Sequence, residues 1–174
     1  MPIKDAPFTP LNIAVVTLSD SRDEATDTSG QYLAEALVAA GHKLRDKQIL
    51  PDCKYRLRAL VSQWLIDDNV QVIITNGGTG ITGRDTTPEA IAPLLDRDIA
   101  GFGELFRQLS YDSVGTSTMQ SRAVAGIANG RLIFCLPGST GACRDGWEQI
   151  LRQQLDSRHG PCNLAELLPR LQER

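Results

Sequence analysis

The sequence has few of the residues that metal centres and disulfide-stabilised proteins need. Its 174 residues include two histidines and four cysteines, and the cysteines show no CxxC spacing. A structural zinc site takes four such ligands, usually in closely spaced pairs, so none is predicted. The cysteines are expected to be free thiols in a reducing compartment. They are Cys53, Cys135, Cys143 and Cys162.

Long apolar segments and a strong excess of one charge are also missing. No apolar run approaches the roughly 20 residues that span a bilayer, and residues 1–10 lack the apolar core of a signal peptide. The 18 Lys and Arg against 21 Asp and Glu give a net charge of −3, and the basic residues are scattered. These features argue against a membrane or a nucleic acid as partner and predict a cytoplasmic protein.

What is present is an alternation of short apolar runs with helical patterns, in a chain long enough for about one domain. Short apolar runs, two of them rich in β-branched residues, predict strands near 11–18, 70–76 and 131–136, and a weaker pattern predicts one near 43–50. Helical spacing of apolar residues predicts helices near 28–40, 57–65, 88–95, 101–109 and 120–128, and one around Trp147.

This alternation predicts an α/β fold. Parallel strands need crossover connections, and helical crossovers cover both faces of the sheet. We therefore expect a single three-layer αβα domain over residues 11–174 with a largely parallel central sheet, preceded by an N-terminal extension at residues 1–10. Ligands of such folds bind beyond the carboxyl ends of the strands. Three polar or glycine-rich loops, 19–27, 77–85 and 137–141, follow predicted strands and could line one pocket.

The loop that begins Gly77-Gly78-Thr79-Gly80 is a candidate phosphate site. Glycines allow positive φ and close approach of phosphate oxygens to backbone N–H groups. The alternative is a plain tight turn, but a cation, a carboxylate and hydroxyls follow at 84–87, before a helix that is predicted to take Thr87 as N-cap and Pro88 as its first residue. Residues 78–83 also match GxGxxG, yet no helix follows directly, which argues against a dinucleotide fold.

Two aspartates, Asp52 and Asp85, each follow a predicted strand end. Mg²⁺ prefers a few carboxylates together with substrate phosphates and water, so the pair could hold this ion in a phosphoryl or nucleotidyl transfer. The alternative is structural: Asp52 as a turn residue after Pro51, and Asp85 as a helix cap. Asp20 and Asp27 are more often turn residues than ligands.

Ser139 lies in the loop Pro137–Gly141. The loop lacks the first glycine of GxSxG and no histidine is placed to act as base, so a nucleophilic serine is not predicted. The loop can donate hydrogen bonds to an anion, or Ser139 or Thr140 can cap the following helix, and these two roles are compatible.

Six segments together carry a family resemblance, and their order and spacing are more specific than any one of them. They are Thr17–Asp20, Asp27–Gly30, Gly77–Gly80, Asp85–Ala90, Gly101–Glu104 and Leu136–Ser139. They resemble the MoaB/MogA family of molybdenum cofactor biosynthesis, over about residues 11–155, and the stretch Ser117–Arg122 is most similar to the MoaB branch.

The resemblance implies a molybdopterin-binding fold and a homo-oligomer, either a trimer or a hexamer, that works with other enzymes of the pathway. Active members adenylylate molybdopterin with Mg²⁺ and ATP and release pyrophosphate. Some members of the MoaB branch lack the acidic residues and are not adenylyltransferases, so a non-catalytic molybdopterin-binding or scaffolding oligomer is the alternative. This chain keeps both aspartates, which favours the enzyme.

The resemblance also assigns site residues. The catalytic and Mg²⁺-binding positions match Asp52 and Asp85. The nucleotide-phosphate positions match Gly77, Gly78, Thr79, Gly80, Thr86, Gly138 and Ser139. The pterin pocket matches the polar residues Ser19, Asp20, Asp27 and Ser29.

Overall fold

In the computed structural model, which describes Ile3 and residues 5–173, a six-stranded sheet forms the centre of the molecule. Its strands are β1 (Asn12–Leu18), β2 (Lys43–Leu50), β3 (Val72–Asn76), β4 (Arg97–Asp98), β5 (Val124–Ala128) and β6 (Arg131–Leu136). The order across the sheet is β2-β1-β3-β6-β5-β4. The first four strands in this order are parallel, and β5 and β4 continue the sheet in antiparallel pairing.

Helices cover both faces of this sheet. They are α1 (Thr28–Ala39), α2 (Lys54–Ile66), α3 (Thr87–Ile91), α4 (Ala100–Val114), α5 (Thr140–Gly146), α6 (Arg152–Gln154) and α7 (Leu164–Leu167). A π-helical turn at 147–151 joins α5 to α6, and 3₁₀ turns follow α3, α4 and α7. In the described part of the chain, no helix combines the length and the apolar character that crossing a bilayer requires.

Alternate residues of each buried strand point to opposite faces and form two apolar cores. One core joins α1, α4 and α5 to residues such as Phe134, and the other joins α2 and α3 to residues such as Ile73. Both side chains are at most 1% exposed. The predicted three-layer αβα fold with its largely parallel sheet is thus confirmed.

The helix predicted at 120–128 is wrong, because residues 124–128 form β5. β5 pairs with β6 through a two-residue turn in which Asn129 and Gly130 both have positive φ, at 44° and 72°. Gly126 faces Leu95 and the Arg97 carbonyl so closely that a Cβ atom there would approach them to within 2.6 to 2.8 Å. The Asn-Gly dipeptide is a strong hairpin signal, and it outweighs the helical preference of the preceding alanines.

The segment before β1 packs on the C-terminal part of the chain. The Thr9 N–H donates to Ser157 Oγ at 2.9 Å, and the Phe8 ring lies 5.2 Å from the ring of His42. Of the predicted extension 1–10, residues 1, 2 and 4 lie outside the described residues, and the boundary at residue 11 stays a prediction.

His42 gives this packing a pH dependence. Its side chain is 5% exposed, and its Nδ1 accepts a hydrogen bond from the Leu11 N–H at 3.2 Å. Burial lowers the pKa of His42 below its ordinary 6.5, although the charge of Asp156 opposes the shift. The unfolded chain therefore binds a proton at pH values where the folded chain does not, so stability falls as the pH drops below about 6.5.

We expect urea unfolding at pH 5.5 to give a lower free energy of unfolding than at pH 7.5. The difference between the two pH values should be smaller for His42→Gln than for wild type. His159→Gln is the control, since it removes the other histidine. An equal pH dependence in wild type and His42→Gln would contradict the assignment.

Candidate active site

The loops after β1, β3 and β6 meet around a cavity of about 440 Å³ at the carboxyl ends of the strands. All three loops that the sequence indicated contribute to its wall. The lining residues include Ser19, Arg22, Asp52, Gly77, Gly78, Thr79, Gly80, Arg84, Asp85, Gly138 and Ser139. Thr86, which the resemblance also placed with the phosphate residues, does not line this cavity and lies instead at a shallow depression beside it.

The glycine loop turns along the cavity wall through two positive φ angles. These are 100° at Gly77 and 66° at Gly78, a region that residues with a Cβ atom rarely occupy. The Thr87 hydroxyl donates to the Gly77 carbonyl at 2.8 Å, and the Thr87 N–H donates to the Gly78 carbonyl at 3.0 Å. Thr87 is therefore the first residue of α3 and ties the helix to the loop, whereas the sequence had predicted it as the N-cap, a position that Thr86 takes.

Asp52 and Asp85 both lie against this loop and line the cavity. A Cβ atom at Gly78 would be 3.6 Å from Asp52 Oδ1, and one at Gly80 would be 2.7 Å from Asp85 Oδ2. Burial, followed by the negative charge of Asp85, raises the pKa of Asp52. The two carboxylates therefore repel each other across a glycine-lined space.

Asp85 is held more firmly than Asp52. Its Oδ2 accepts hydrogen bonds from the Thr82 N–H at 2.8 Å and the Thr82 hydroxyl at 2.6 Å. Burial alone would raise the pKa of Asp85, but these bonds, a bond from the Gly80 backbone and the charge of Arg122 outweigh it, and the pKa is lowered. The carboxylate thus closes the turn at 82–85 and does not cap α3.

Arg122 holds the end of the glycine loop through hydrogen bonds to its backbone. Its Nε donates to the Gly80 carbonyl at 2.7 Å, its Nη2 donates to the Asp85 carbonyl at 2.6 Å, and it pairs with Glu89. No sequence pattern indicated this role of Arg122, because the residue comes 37 positions after Asp85 and only the folded chain brings the two together.

The residues matched to the pterin pocket fall into two groups. Ser19 lines the cavity, and Asp20 lies at its edge, where Asp20 Oδ1 accepts from the Asp52 N–H at 3.1 Å. Asp27 and Ser29 are buried beneath the loop, with exposures of 1% and 0%. Direct contact of the four with a pterin stays a prediction, and Asp27 and Ser29 would act through the groups they hold.

Asp27 is the centre of a buried polar network. It is the N-cap of α1, and its side chain accepts a hydrogen bond from the Gly30 N–H at 3.0 Å. Both carboxylate oxygens accept from the Thr17 hydroxyl at 3.0 Å, and Lys47 Nζ lies 3.2 Å away.

A second cavity, of about 380 Å³, lies beside the first between α4 and α5. Thr79, Gly80, Pro137 and Ser139 border both cavities. The second is lined mainly by apolar atoms and by hydroxyls, and its residues include Phe106, Ser110, Ser113, Val114, Ser117, Thr118 and Ser121. Its chemistry suits a flat ring system better than a phosphate.

The loop between the cavities also starts a helix. Ser139 Oγ accepts from the Ala142 N–H at 3.2 Å and so caps α5, in agreement with the structural role considered for it. The Gly138 position would put a Cβ atom 3.1 Å from the Gly77 Cα, so the two small-residue loops touch through their backbones.

The donors available for a metal ion are few. Within the described residues, no cluster of three or more His, Cys, Asp or Glu side chains could hold a metal. Two carboxylates beside the glycine loop are compatible with Mg²⁺, which takes the rest of its ligands from substrate phosphates and water. The described residues offer no comparable set of ligands for a transition-metal ion.

The sequence and the structure both resemble those of proteins of known family. Residues 14–157 match a family described as a probable molybdopterin binding domain. The molybdenum cofactor biosynthesis protein B of Escherichia coli (strain K12) is 54% identical over 156 residues, which cover 90% of this chain and 92% of that protein. A crystal structure of a molybdenum cofactor biosynthesis protein B superposes with a TM-score of 0.86 at 40% identity, covering 95% of this chain and 98% of the other. The tungsten cofactor synthesizing protein MoaB of Pyrococcus furiosus gives 0.78 at 35% identity, covering 97% and 100%.

Proposed function

The chain belongs to the family of probable molybdopterin-binding domains and to molybdenum cofactor biosynthesis, and we propose that it transfers the adenylyl group of ATP to molybdopterin. The observation that carries this proposal is that Asp52 and Asp85 both lie against the glycine loop and line the same cavity. A site that only bound a pterin would have no use for two repelling carboxylates beside a phosphate cradle.

Asp52 and Asp85 are the residues that would hold Mg²⁺. Burial and the neighbouring charge raise the pKa of Asp52, so the ionised pair is unfavourable without a cation. Bound there, the ion would neutralise the negative charge that phosphate oxygens carry in the transition state.

The protein's other contribution is to position two anionic substrates. The N–H groups of Gly78 and Thr79 would bind the phosphates of ATP, with the Gly138 and Ser139 loop opposite. The Gly77 N–H is already used, since it donates to the Leu136 carbonyl at 3.0 Å. The second cavity offers a ring system a place next to the same loop. The two substrates would therefore meet with their phosphates at the glycine loop, which supplies the proximity that the reaction needs.

The proposed step is a displacement at the α-phosphorus of ATP. An oxygen of the terminal phosphate of molybdopterin forms the new P–O bond, and the bond from the α-phosphorus to the bridging oxygen of the β-phosphate breaks. Pyrophosphate leaves with that electron pair, and the product is adenylylated molybdopterin. No proton acceptor is needed where the attacking phosphate is already ionised at pH 7.

The test is pyrophosphate release by the purified protein with molybdopterin, ATP and Mg²⁺, followed together with formation of adenylylated molybdopterin. We expect release that requires all three components and stops when EDTA removes the metal. Binding of molybdopterin with no pyrophosphate release would contradict the transferase and identify the non-catalytic binding or scaffolding protein instead.

A further inference from the structure

Arg22 is a cation at the wall of the main cavity that the family resemblance did not single out. It follows β1, and its side chain is 28% exposed. Its Nη1 donates to the Ser29 hydroxyl and lies 3.8 Å from Asp27 Oδ1. One end of the guanidinium is thus anchored to buried groups.

The other end has hydrogen-bonding capacity left over. A guanidinium carries five N–H donors in a planar fork, and its natural partners are carboxylates and phosphates. Among the residues that the structure describes, Nε and Nη2 of Arg22 have no hydrogen-bond acceptor. These donors are available to an anion in the cavity.

The anchor does not cancel the charge of Arg22. Asp27 is already paired with Lys47 at 3.2 Å, and Lys47 is only 12% exposed. Asp27 also accepts from Thr17 and from the Gly30 N–H, each at 3.0 Å. Lys47 also pairs with Glu24 at 2.9 Å and is thus shared between two carboxylates. The Asp27 carboxylate therefore fixes the position of Arg22 while its negative charge is divided between Arg22 and Lys47.

The other arginine of the cavity is placed differently. Arg84 is 67% exposed and contacts Asp20, which is itself 43% exposed. A surface ion pair of this kind holds its partners loosely. Arg22 is the better ordered of the two, since it is tied to a buried hydroxyl and a buried carboxylate.

Resting on the proposed function, we propose that Arg22 is the phosphate-binding cation of this site and that Ser29 and Asp27 are its positioning residues. The ligand is a phosphate or polyphosphate group that accepts hydrogen bonds from Nε and Nη2. Asp52 and Asp85 lie elsewhere on the same wall, so a phosphate in the cavity would be held between Arg22 and the proposed cation site. This arrangement explains why Ser29 and Asp27, although buried, belong to the site.

The test is the affinity for inorganic pyrophosphate, measured by calorimetry without Mg²⁺. We expect Arg22→Gln to weaken binding about tenfold, because the amide can keep a bond to Ser29 but has neither the charge nor the fork. The affinity of Arg22→Lys for pyrophosphate should lie between those of wild type and Arg22→Gln. Arg45→Ala is the matched control, since Arg45 also pairs with an aspartate, at 3.5 Å from Asp67, but lies outside the cavity.

Two further titrations identify the source of the phosphate. ATP and a simple pterin bearing a phosphate monoester are each titrated against wild type and Arg22→Gln. The ligand that binds more weakly to Arg22→Gln than to wild type is the one whose phosphate contacts Arg22. If both ligands bind the variant as tightly as wild type, the proposal is overturned.

Ser29→Ala tests positioning by a double-mutant cycle. We expect it to weaken pyrophosphate binding about threefold alone and to have no further effect in the Arg22→Gln background. A purely structural Ser29 would lower the unfolding temperature without changing the affinity of either protein for pyrophosphate, which would overturn the positioning role.

Unchanged pyrophosphate affinity in a folded Arg22→Gln protein overturns the role of Arg22. If that variant does not fold, Arg22→Lys carries the test, because it keeps a charge beside Asp27, and unchanged affinity there overturns the role of the fork. These results are separable from the proposed function: Arg22-dependent phosphate binding without adenylylation would contradict only the transferase.

Discussion

Replacing Asp52 with Asn is expected to lower the rate of adenylyl transfer by at least about 100-fold while leaving the protein as stable as wild type, or slightly more stable, at pH 7. The rate falls because the change removes one of the two carboxylates proposed to hold Mg²⁺. The fold does not suffer, because no side-chain hydrogen bond of Asp52 is present among the described residues and its charge faces that of Asp85.

The sign of the stability change follows from the pKa of Asp52. Burial and the charge of Asp85 raise that pKa above the ordinary 3.8, so the folded protein binds a proton at pH values where the unfolded chain has released it. Ionised Asp52 therefore costs stability, and the cost develops as the pH rises from about 4 through the folded pKa. Asp52→Asn should match wild type at low pH and gain on it towards neutrality.

Asp85→Asn is the counterpart that separates catalysis from folding. It should lower transfer by the same factor of at least about 100, but it should also lower stability, because a neutral amide oxygen is a weaker acceptor than the ionised Oδ2 that takes both hydrogen bonds from Thr82. The pKa of Asp85 is lowered, so its ionised form stabilises the fold above pH 3.8 and this contribution is lost as the pH falls.

The measurements are turnover from pyrophosphate release at pH 7 and thermal unfolding from about pH 3 to pH 7, a range that extends below the ordinary aspartate pKa of 3.8. Asp68→Asn is the control, since that carboxylate is fully exposed and lies away from the cavity. Near-normal turnover of either folded variant would refute the catalytic role of that aspartate.

The fold was largely predictable because most of its buried strands are short apolar runs. Each of the four predicted strands overlaps a strand of the structure. The clearest is Val72–Asn76, in which every side chain is buried between two helical layers, whereas the edge strand Lys43–Leu50 has no fully buried residue. The antiparallel edge was missed for a local reason. Alanine and glycine in Val124–Ala128 weaken the strand pattern, and the information lay instead in the Asn129-Gly130 turn that follows.

The site was only partly predictable, because several of its contacts join residues that are far apart in the sequence. Glycine loops and aspartates after strands are visible in the sequence, since strand ends converge at one edge of a parallel sheet. The contacts of Arg122 with Gly80 and Asp85 join residues about 40 positions apart and have no local pattern. Burial likewise determines whether a residue can contact a ligand or can only hold a neighbouring side chain in place. The sequence alone could not show that Asp27 and Ser29 are buried beneath the loop.

Gly77→Ala is expected to destabilise the protein by about 2 to 4 kcal/mol and to weaken pyrophosphate binding. Two costs add up. The φ of 100° disfavours any residue with a Cβ atom, and the new methyl group would overlap the Leu18 carbonyl oxygen, which is backbone of β1 and cannot move aside without disturbing the sheet. The loop must therefore shift, and with it the N–H groups proposed to bind phosphate.

Gly83→Ala is the matched control in the same loop. No atom lies within 4 Å of a Cβ built at Gly83, and its φ is not positive, so its unfolding free energy should stay within about 0.5 kcal/mol of wild type. Equal unfolding free energies for the two variants, measured in urea, would show that the Gly77 conformation is not required. A loss confined to Gly77→Ala, with weaker pyrophosphate binding, would mean that the backbone shape of this loop, and not its glycine content alone, makes the phosphate cradle.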